Sequence, residues 1–492
     1  MSRHNEFRSI TLELETARQQ GKWRKLVEYG QALLLTPELP DEVRSLARSA
    51  VSDGYYRWED EDELRSLDYD ALIAPLNGDI AETIDPADQY WLRGLLHERQ
   101  LTYRHRGDWR QIMKDLSAAI DLNSLRSEYF IWRARVYERY GRDDTRALLD
   151  CRNAVELDSA NASCFACRGR IYSGAAVANH PLGDIDKALA DYTHALGLEP
   201  KWARLYWERA AIYRTLGHED KALADERSLC EIAPLFAVMC FANRARSGAM
   251  VLADEDAIQD ANRAVALDPE SALAYDSRAY VYASKGEYEL AILDHQHAIQ
   301  TEPNKAKWYL SRADTYWRKK EFELAEIDYN HAIQLEPENA DCYSARAFFY
   351  RIQNNPEQAI VDYSTAIQID PQPHFFCQRA AVYERQAQYP LAIKDYTDAI
   401  EHSTWQDALF PSILTGRGGV YDKMGDYDNA ILDYSKAIEL SPPSISSFDY
   451  FCRAVIFLKK DAYDNALRDL AKANQLAPET DHIREASETL RT

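Results

Sequence analysis

No stretch of this chain approaches the ~20 consecutive apolar residues that a membrane-crossing helix needs, and the mean hydropathy is −0.51. Residues 1–20 are charged throughout and lack the apolar core of a secretory signal. The expected location is therefore the cytosol. Basic residues are in deficit: 58 Lys+Arg stand against 80 Asp+Glu, a net charge of −22, with a pI near 5.0. Nonspecific phosphate-backbone binding rests on basic surface, so nucleic acid is not an expected partner.

The signatures of catalysis and metal binding are also missing. The twelve histidines form no H-E-x-x-H pattern, no glycine-rich phosphate loop occurs, and no serine sits in G-x-S-x-G. Eight cysteines are scattered at 151, 164, 167, 230, 240, 342, 377 and 452. Only Cys164 and Cys167 are close, and a single C-x-x-C without a second pair at ligand spacing reads as helix packing, with reduced thiols. The acidic run Glu59–Glu63 beside Trp58 lacks the alternating oxygen ligands and glycine of a calcium loop and reads as a solvated loop or helix start. Neither cofactor nor metal is expected, and the chain is not expected to be an enzyme.

What the chain has is a repeat. Pro200 to Pro234 is 34 residues and Pro234 to Pro269 is 35; Pro303, Pro337 and Pro371 then follow at 34 each. A period of that size means stacked supersecondary units. Within the unit at 306–337 the order is Arg312, Ala313, Tyr316, a turn, Ala325, Asp328, Tyr329, Ala332 and Pro337. The arginines that anchor successive units read as Arg99, Arg133, Arg168, Arg209, Arg244, Arg278, Arg312, Arg346, Arg379, Arg417 and Arg453. Their aspartates read as Asp115, Asp150, Asp191, Asp225, Asp260, Asp294, Asp328, Asp362, Asp395, Asp433 and Asp469. Nine of these eleven pairs are 16 apart; Arg133 to Asp150 is 17, and Arg168 to Asp191 is 23, with a seven-residue insertion in Ser173–Gly183 read as an enlarged turn.

Ala325, Tyr329 and Ala332 recur at i, i+4 and i+7, and Ala359, Tyr363 and Ala366 repeat this one unit later, which is helical periodicity. Small residues on that stripe permit close approach, and the terminal proline stops the second helix. Two helices joined by a short turn form an antiparallel pair that cannot bury both of its faces alone, so the next pair must supply the missing surface. Residues equally far from the turn face each other, which sets Arg312 level with Asp328 as one rung of an ion-pair ladder that fixes helix register.

Tyr309, Ala313, Tyr316, Ala325, Tyr329, Ala332 and Pro337 make the unit resemble the tetratricopeptide repeat (TPR) family, and the resemblance runs over roughly 93–478. Departures are Gln100 and Leu229 where small residues belong and Ile112 for alanine. The resemblance implies an all-α, right-handed superhelical solenoid of stacked antiparallel helix pairs. Residues 1–92 read as two divergent hairpins, with Trp23, Tyr29, Ala32 and Pro37 in one and Leu64–Leu76 in the other; 93–478 read as eleven tandem units and 479–492 as a capping helix.

In that family the first helices line a concave groove, with residues two, five and six after each anchor pointing into it. Two after the anchor stand Arg135, Arg170 and Arg246, then Tyr280 and, two units later, Phe348. Five or six after stand Arg104, Arg139, Arg214, Arg318, Arg351, Arg385, Lys423 and Lys459, together with Trp317. The last-turn cations also suit the helix macrodipole. The candidate groove set is Arg135, Arg139, Arg170, Arg214, Arg246, Tyr280, Trp317 and Phe348, which points to a protein or peptide ligand with acidic groups and apolar anchors. Whether the arginines bind ligand or serve the fold stays open at this level. The lysine and asparagine clamp that some family members use on a chaperone C-terminus is not matched, since only Asn243 stands at a suitable place.

These features imply an interaction scaffold without chemistry of its own. A ligand-responsive regulator and a subunit whose N-terminal region completes an enzyme are the alternatives, against which the ninety or so residues outside the repeats are few for a catalytic domain. Oligomeric state is not encoded in these patterns.

Overall fold

The computed structural model describes residues 23–34, 85–104, 109–141, 143–177, 183–251, 255–403, 409–441 and 446–476, with single positions between 14 and 76. The expected cap at 479–492 and the acidic run Glu59–Glu63 lie outside the described residues, as does most of the stretch read as the first two hairpins. Two units divide the chain, Met1–Ala237 and Val238–Thr492.

The described residues fold as α-helices joined by turns. In the N-terminal unit α1 is Trp23–Leu34, and the pairs that follow are α2 Pro86–Arg104 with α3 Trp109–Leu122, α4 Ser127–Val136 with α5 Asp144–Leu157, α6 Ala162–Val177 with α7 Ile185–Leu198, and α8 Ala203–Thr215 with α9 Glu219–Ile232. The unit boundary falls within α10, Pro234–Val251, which pairs with α11, Glu255–Leu267. The C-terminal unit continues with α12 Ala272–Ser284 and α13 Tyr288–Thr301, α14 Ala306–Arg318 and α15 Phe322–Leu335, and α16 Ala340–Ile352 and α17 Pro356–Ile369. It ends with α18 Pro373–Arg385 and α19 Tyr389–His402, α20 Phe410–Met424 and α21 Tyr427–Leu440, and α22 Ser447–Lys459 and α23 Tyr463–Leu476. Each unit is thus an all-α solenoid of helix pairs.

The pairing follows from the predicted small-residue stripe. Ala313, Ala347, Ala380 and Ala454, each one residue after its anchor, are fully buried, as are Ala325, Ala359, Ala392 and Ala430 on the facing helices. Tyr329 and Tyr363, one residue after the aspartates, close the same interface. His194, His297 and His331 fall between helices and pack on the rings of Phe165, Tyr275 and Tyr309 at 4.2–4.4 Å between centroids. First helices of successive pairs also approach one another, α12 to α14, α14 to α16 and α16 to α18. They therefore form the inner side of the stack, and the second helices form the outer side.

The arginine and aspartate rungs form in every pair, with one reassignment. Arg312 donates from Nε and Nη2 to the two oxygens of Asp328 at 2.7 and 2.8 Å, and Arg133, Arg168, Arg209, Arg379, Arg417 and Arg453 grip their aspartates in the same bidentate way. Asp115 is held by Arg93 rather than Arg99, at 3.0 and 2.6 Å. The reason lies one residue on: Gly94 sits where every other pair has alanine or glycine, and a Cβ there would meet the Leu116 side chain at 3.0 Å. The first connection is six residues longer than standard, and Arg99 falls by coincidence at the usual spacing. Gln100 is therefore not a departure from the small-residue position.

The one-residue excess between Arg133 and Asp150 has its own local cause. Tyr137–Gly141 is a π-helical turn at the end of α4, which takes up the extra residue without disturbing register. A further polar contact crosses between pairs: the free Nη1 of Arg209, Arg346, Arg379, Arg417 and Arg453 donates to Thr193, Asn330, Ser364, Thr397 and Ser435. Each acceptor stands two residues after the aspartate of the preceding pair, so one guanidinium sets register both within and between pairs.

Candidate functional site

Groove positions are defined by their offset from the anchor, and the inner-face positions in the C-terminal unit converge. Arg246 on α10 lies over the ring of Tyr280 on α12 at 4.9 Å, and Arg318 on α14 lies over the same ring at 5.8 Å. Trp317 on α14 meets Phe348 on α16 edge-on, with ring centroids 6.2 Å apart. Arg351 also lies over the Phe348 ring, at 4.7 Å. Four of the eight predicted residues, Arg246, Tyr280, Trp317 and Phe348, therefore belong to one continuous surface. A recess of about 470 Å³ opens there, lined by Asp314, Trp317, Arg318, Asp341, Ser344 and Phe348.

A second, smaller recess of about 60 Å³ adjoins it and shares Asp314 and Arg318. Its floor holds two buried residues that break the repeat pattern together. Asp276, fully buried, stands two before an anchor, where Leu310 and Ala242 occur in neighbouring pairs. His295, also buried, occupies the position that Tyr329 and Tyr363 fill elsewhere. Arg246 donates to Asp276 at 2.5 Å, His295 Nδ1 is 3.3 Å from Asp276 Oδ1, and His295 Nε2 is 3.0 Å from Thr315 Oγ1. Burial alone would raise the Asp276 pKa, but the hydrogen bond and charge of His295, with the charge of Arg246 and the Ser311 hydroxyl, hold it below the ordinary carboxylate value.

Asp314 behaves in the opposite way. Its surface reaches the groove, yet the surrounding wall raises its pKa despite a hydrogen bond from the Tyr329 hydroxyl at 2.5 Å and the charges of Arg318 and His295. None of Asp276, His295 and Asp314 was singled out from sequence. The available signal was their position: each is an ionisable residue in a slot of the repeat frame that neighbouring pairs fill with apolar, small or aromatic side chains.

The arginines predicted for the N-terminal unit are each engaged within that unit. Arg135 is buried and stacks on Trp132 at 4.5 Å. Arg139 reaches Glu98 at 3.5 Å and Thr102 at 3.2 Å. Glu98 is buried, which by itself would raise its pKa, but Arg99, Arg135 and Arg139 hold it ionised below the usual value. Arg170 makes a bidentate pair with Glu138 at 3.2 and 2.9 Å, and Arg214 is bound by Glu226 and by Glu219. In the C-terminal unit Lys423 pairs with Glu384 at 2.7 Å and Lys459 with Asp422 at 2.6 Å. A groove acid five after one anchor thus meets a base two or six after the next.

Cys164 and Cys167 are both buried, and Cys167 Sγ is 3.4 Å from that of Cys151 on α5, so this C-x-x-C packs an interface between helix pairs. Among the described residues no group of three or more His, Cys, Asp or Glu is arranged to hold a metal ion, and no helix is long and apolar enough to cross a membrane.

Comparison with curated proteins gives no match. Among solved structures, yeast Tom70 is 18% identical, with 92% of this chain and 96% of that chain aligned at a TM-score of 0.44. The Cut9–Hcn1 hetero-tetramer of the APC/C is 16% identical over 90% of this chain and 98% of that one, at 0.36. PilF of Pseudomonas aeruginosa is 17% identical over 45% and 98%, also at 0.36. Profiles of the tetratricopeptide repeat match residues 169–201, 306–339, 328–361 and 411–443. The matched segments are tetratricopeptide repeats, and the helix pairs between them carry the same anchors, small residues and register-setting rungs.

Proposed function

We propose that this protein is a non-catalytic interaction scaffold of the cytosol that holds a peptide segment of a partner on the inner face of its C-terminal unit. The observation that carries the reading is the edge-on pair Trp317 and Phe348 beside the recess shared with Arg318 and Ser344. Aromatic side chains and arginines at the centre of a concave surface are the groups that dominate binding energy in protein interfaces. An apolar side chain of the peptide packs between Trp317 and Phe348, and an acidic group next to it meets Arg318. The arginines of the N-terminal unit contribute less, since a ligand carboxylate must displace Glu98, Glu138 or Glu226 to reach them.

The test is selection of a displayed random-peptide library on wild-type protein and on Trp317→Ala/Phe348→Ala, after circular dichroism shows equal helicity. The expected result is an enriched family of apolar and acidic peptides whose affinity falls at least tenfold in the double variant. Peptides that bind both proteins equally, or an unenriched library, would remove this groove as the binding site. Charge reversal at Arg135 is a poor substitute, because a glutamate there would face buried Glu98 and unfold the local pairs.

A further inference from the structure

Among the described residues, the outer face of the C-terminal unit carries an exposed apolar row in register with the repeat. One residue before the aspartate of each rung, on the solvent side of the second helix, stand Leu293, Ile327, Val361 and Leu432, with 58%, 60%, 57% and 64% of their surfaces exposed. One turn earlier, Leu290, Leu324 and Leu391 are exposed on the same face. The row is bounded: the slot holds exposed Gln259 on α11, Lys394 on α19 and Arg468 on α23. Single exposed aliphatics are ordinary, but Leu293, Ile327 and Val361 at one offset in three successive pairs, with Leu290 and Leu324 one turn earlier, form the kind of patch that marks an interaction surface. Helix packing gives no reason for them, since Gln259 and Lys394 fill the slot equally well.

Acidic residues run alongside. Glu289, Glu323, Glu357 and Asp428 occupy the first turns of α13, α15, α17 and α21. The macrodipole favours them there, and Lys319 reaches Glu289 at 3.2 Å, but Glu323 and Glu357 are exposed beside the apolar row. Two copies of this face would bring acid against acid, which disfavours self-association and anionic lipid. The complement is an apolar stripe edged with positive charge. An amphipathic α-helix carries its apolar side chains on one such stripe with charged residues on either side.

We propose that the outer face formed by α13, α15 and α17 docks an amphipathic helix of a partner protein that carries leucine-type side chains flanked by lysine or arginine. The site is separate from the inner-face groove, so the two proposals stand or fall independently.

The probe is a fluorescein-labelled 14-residue leucine/lysine amphipathic peptide, titrated by anisotropy into the full chain. Leu293→Gln/Ile327→Gln/Val361→Gln removes the row without changing charge, and all three positions are exposed, so helicity is expected to be unchanged. Saturable binding should weaken at least tenfold in this variant, stay unaltered in Trp317→Ala/Phe348→Ala, and be at least tenfold weaker for the leucine/glutamate version of the peptide. No binding, equal binding to the triple variant, or loss in the groove variant would overturn the proposal. So would wild-type self-association in light scattering that the triple variant abolishes, which would make a second copy the occupant. Wild-type binding to neutral phosphatidylcholine vesicles that the triple variant lacks would assign the row to lipid instead.

Discussion

Asn330 accepts a hydrogen bond from Nη1 of Arg346 at 2.5 Å, while the other edge of the same guanidinium grips Asp362 at 2.8 and 2.7 Å. The arginine belongs to one helix pair and the asparagine to the pair before it, so a planar five-donor group joins three helices at once. Lysine cannot reproduce this. Arg346→Lys keeps the charge but loses the bidentate fork and should cost about 2 kcal/mol, and Asn330→Ala about 1 kcal/mol for one hydrogen bond. The double variant should lose less than the sum, because both changes remove the same contact. Repeat stacks need not unfold in a single step, so the measurement is hydrogen exchange of α14–α17, where faster exchange confined to these helices is expected.

The turn inside each pair carries a second recurrent device. Eight residues after the anchor the backbone is left-handed: Gly217, Gly286 and Gly425 have φ of 74°, 81° and 78°, and Lys320, Asn354, Ala387 and Asp461 adopt 68°, 57°, 55° and 56° at the same place. A left-handed non-glycine residue costs roughly 1–2 kcal/mol, part of which glycine gives back through its freer unfolded chain. Ala387→Gly should therefore stabilise the α18/α19 pair by about 0.5–1 kcal/mol, and Gly286→Ala should destabilise α12/α13 by a similar amount. Chemical denaturation followed by circular dichroism, with exchange data to localise the effect, checks both signs.

Much of this architecture could be read from residue spacing, because a repeat supplies its own internal control. Ten of the eleven rungs form between the predicted partners, and the exception shows how the reasoning fails. A fixed spacing of 16 selected Arg99 for Asp115, whereas the physical requirement is a small residue next to the anchor, which Gly94 meets beside Arg93. The groove was legible in part. Tyr280, Trp317 and Phe348 are reached through the groove offsets that the family resemblance implies. The partners of the groove cations are not, since Glu138 with Arg170, or Glu384 with Lys423, are 32 and 39 residues apart and meet only through stacking. Asp276 and His295 escaped notice because ionisable residues in apolar slots look like noise until two of them are seen to touch.

Asp276 offers a sharp test of that buried contact. Removing its side chain leaves Arg246 and His295 facing each other across the space it filled, and breaking a buried charge pair costs about 3–5 kcal/mol. Asp276→Ala should therefore loosen α10, α12 and α13 at neutral pH. The native carboxylate has a pKa below its unfolded value of 3.8, so the stability it contributes is complete above that value and is lost as pH falls through the lower native pKa. Denaturation midpoints of wild type and variant should differ at pH 7 and converge only below pH 3.8.

Asp314 predicts the reverse. Its native pKa is raised above 3.8 by the groove wall, with the nearby Asp276 carboxylate adding to the shift, against the Tyr329 hydroxyl, Arg318 and His295. A carboxyl group of this kind is most favourable to the fold while protonated; its contribution is complete below pH 3.8 and is lost as pH rises through the native pKa. Asn keeps an acceptor for the Tyr329 hydroxyl and carries no charge to desolvate. Asp314 is exposed at the groove, where solvent screens most of this penalty, so Asp314→Asn should raise the denaturation midpoint at pH 7 only slightly, with an unchanged slope against denaturant, and the gain should disappear below pH 3.8. An equal gain at both pH values would mean that packing rather than ionisation sets the difference. A loss at pH 7 would mean that Tyr329 and Arg318 together outweigh the groove wall, and that the carboxylate is held in the recess as a charge.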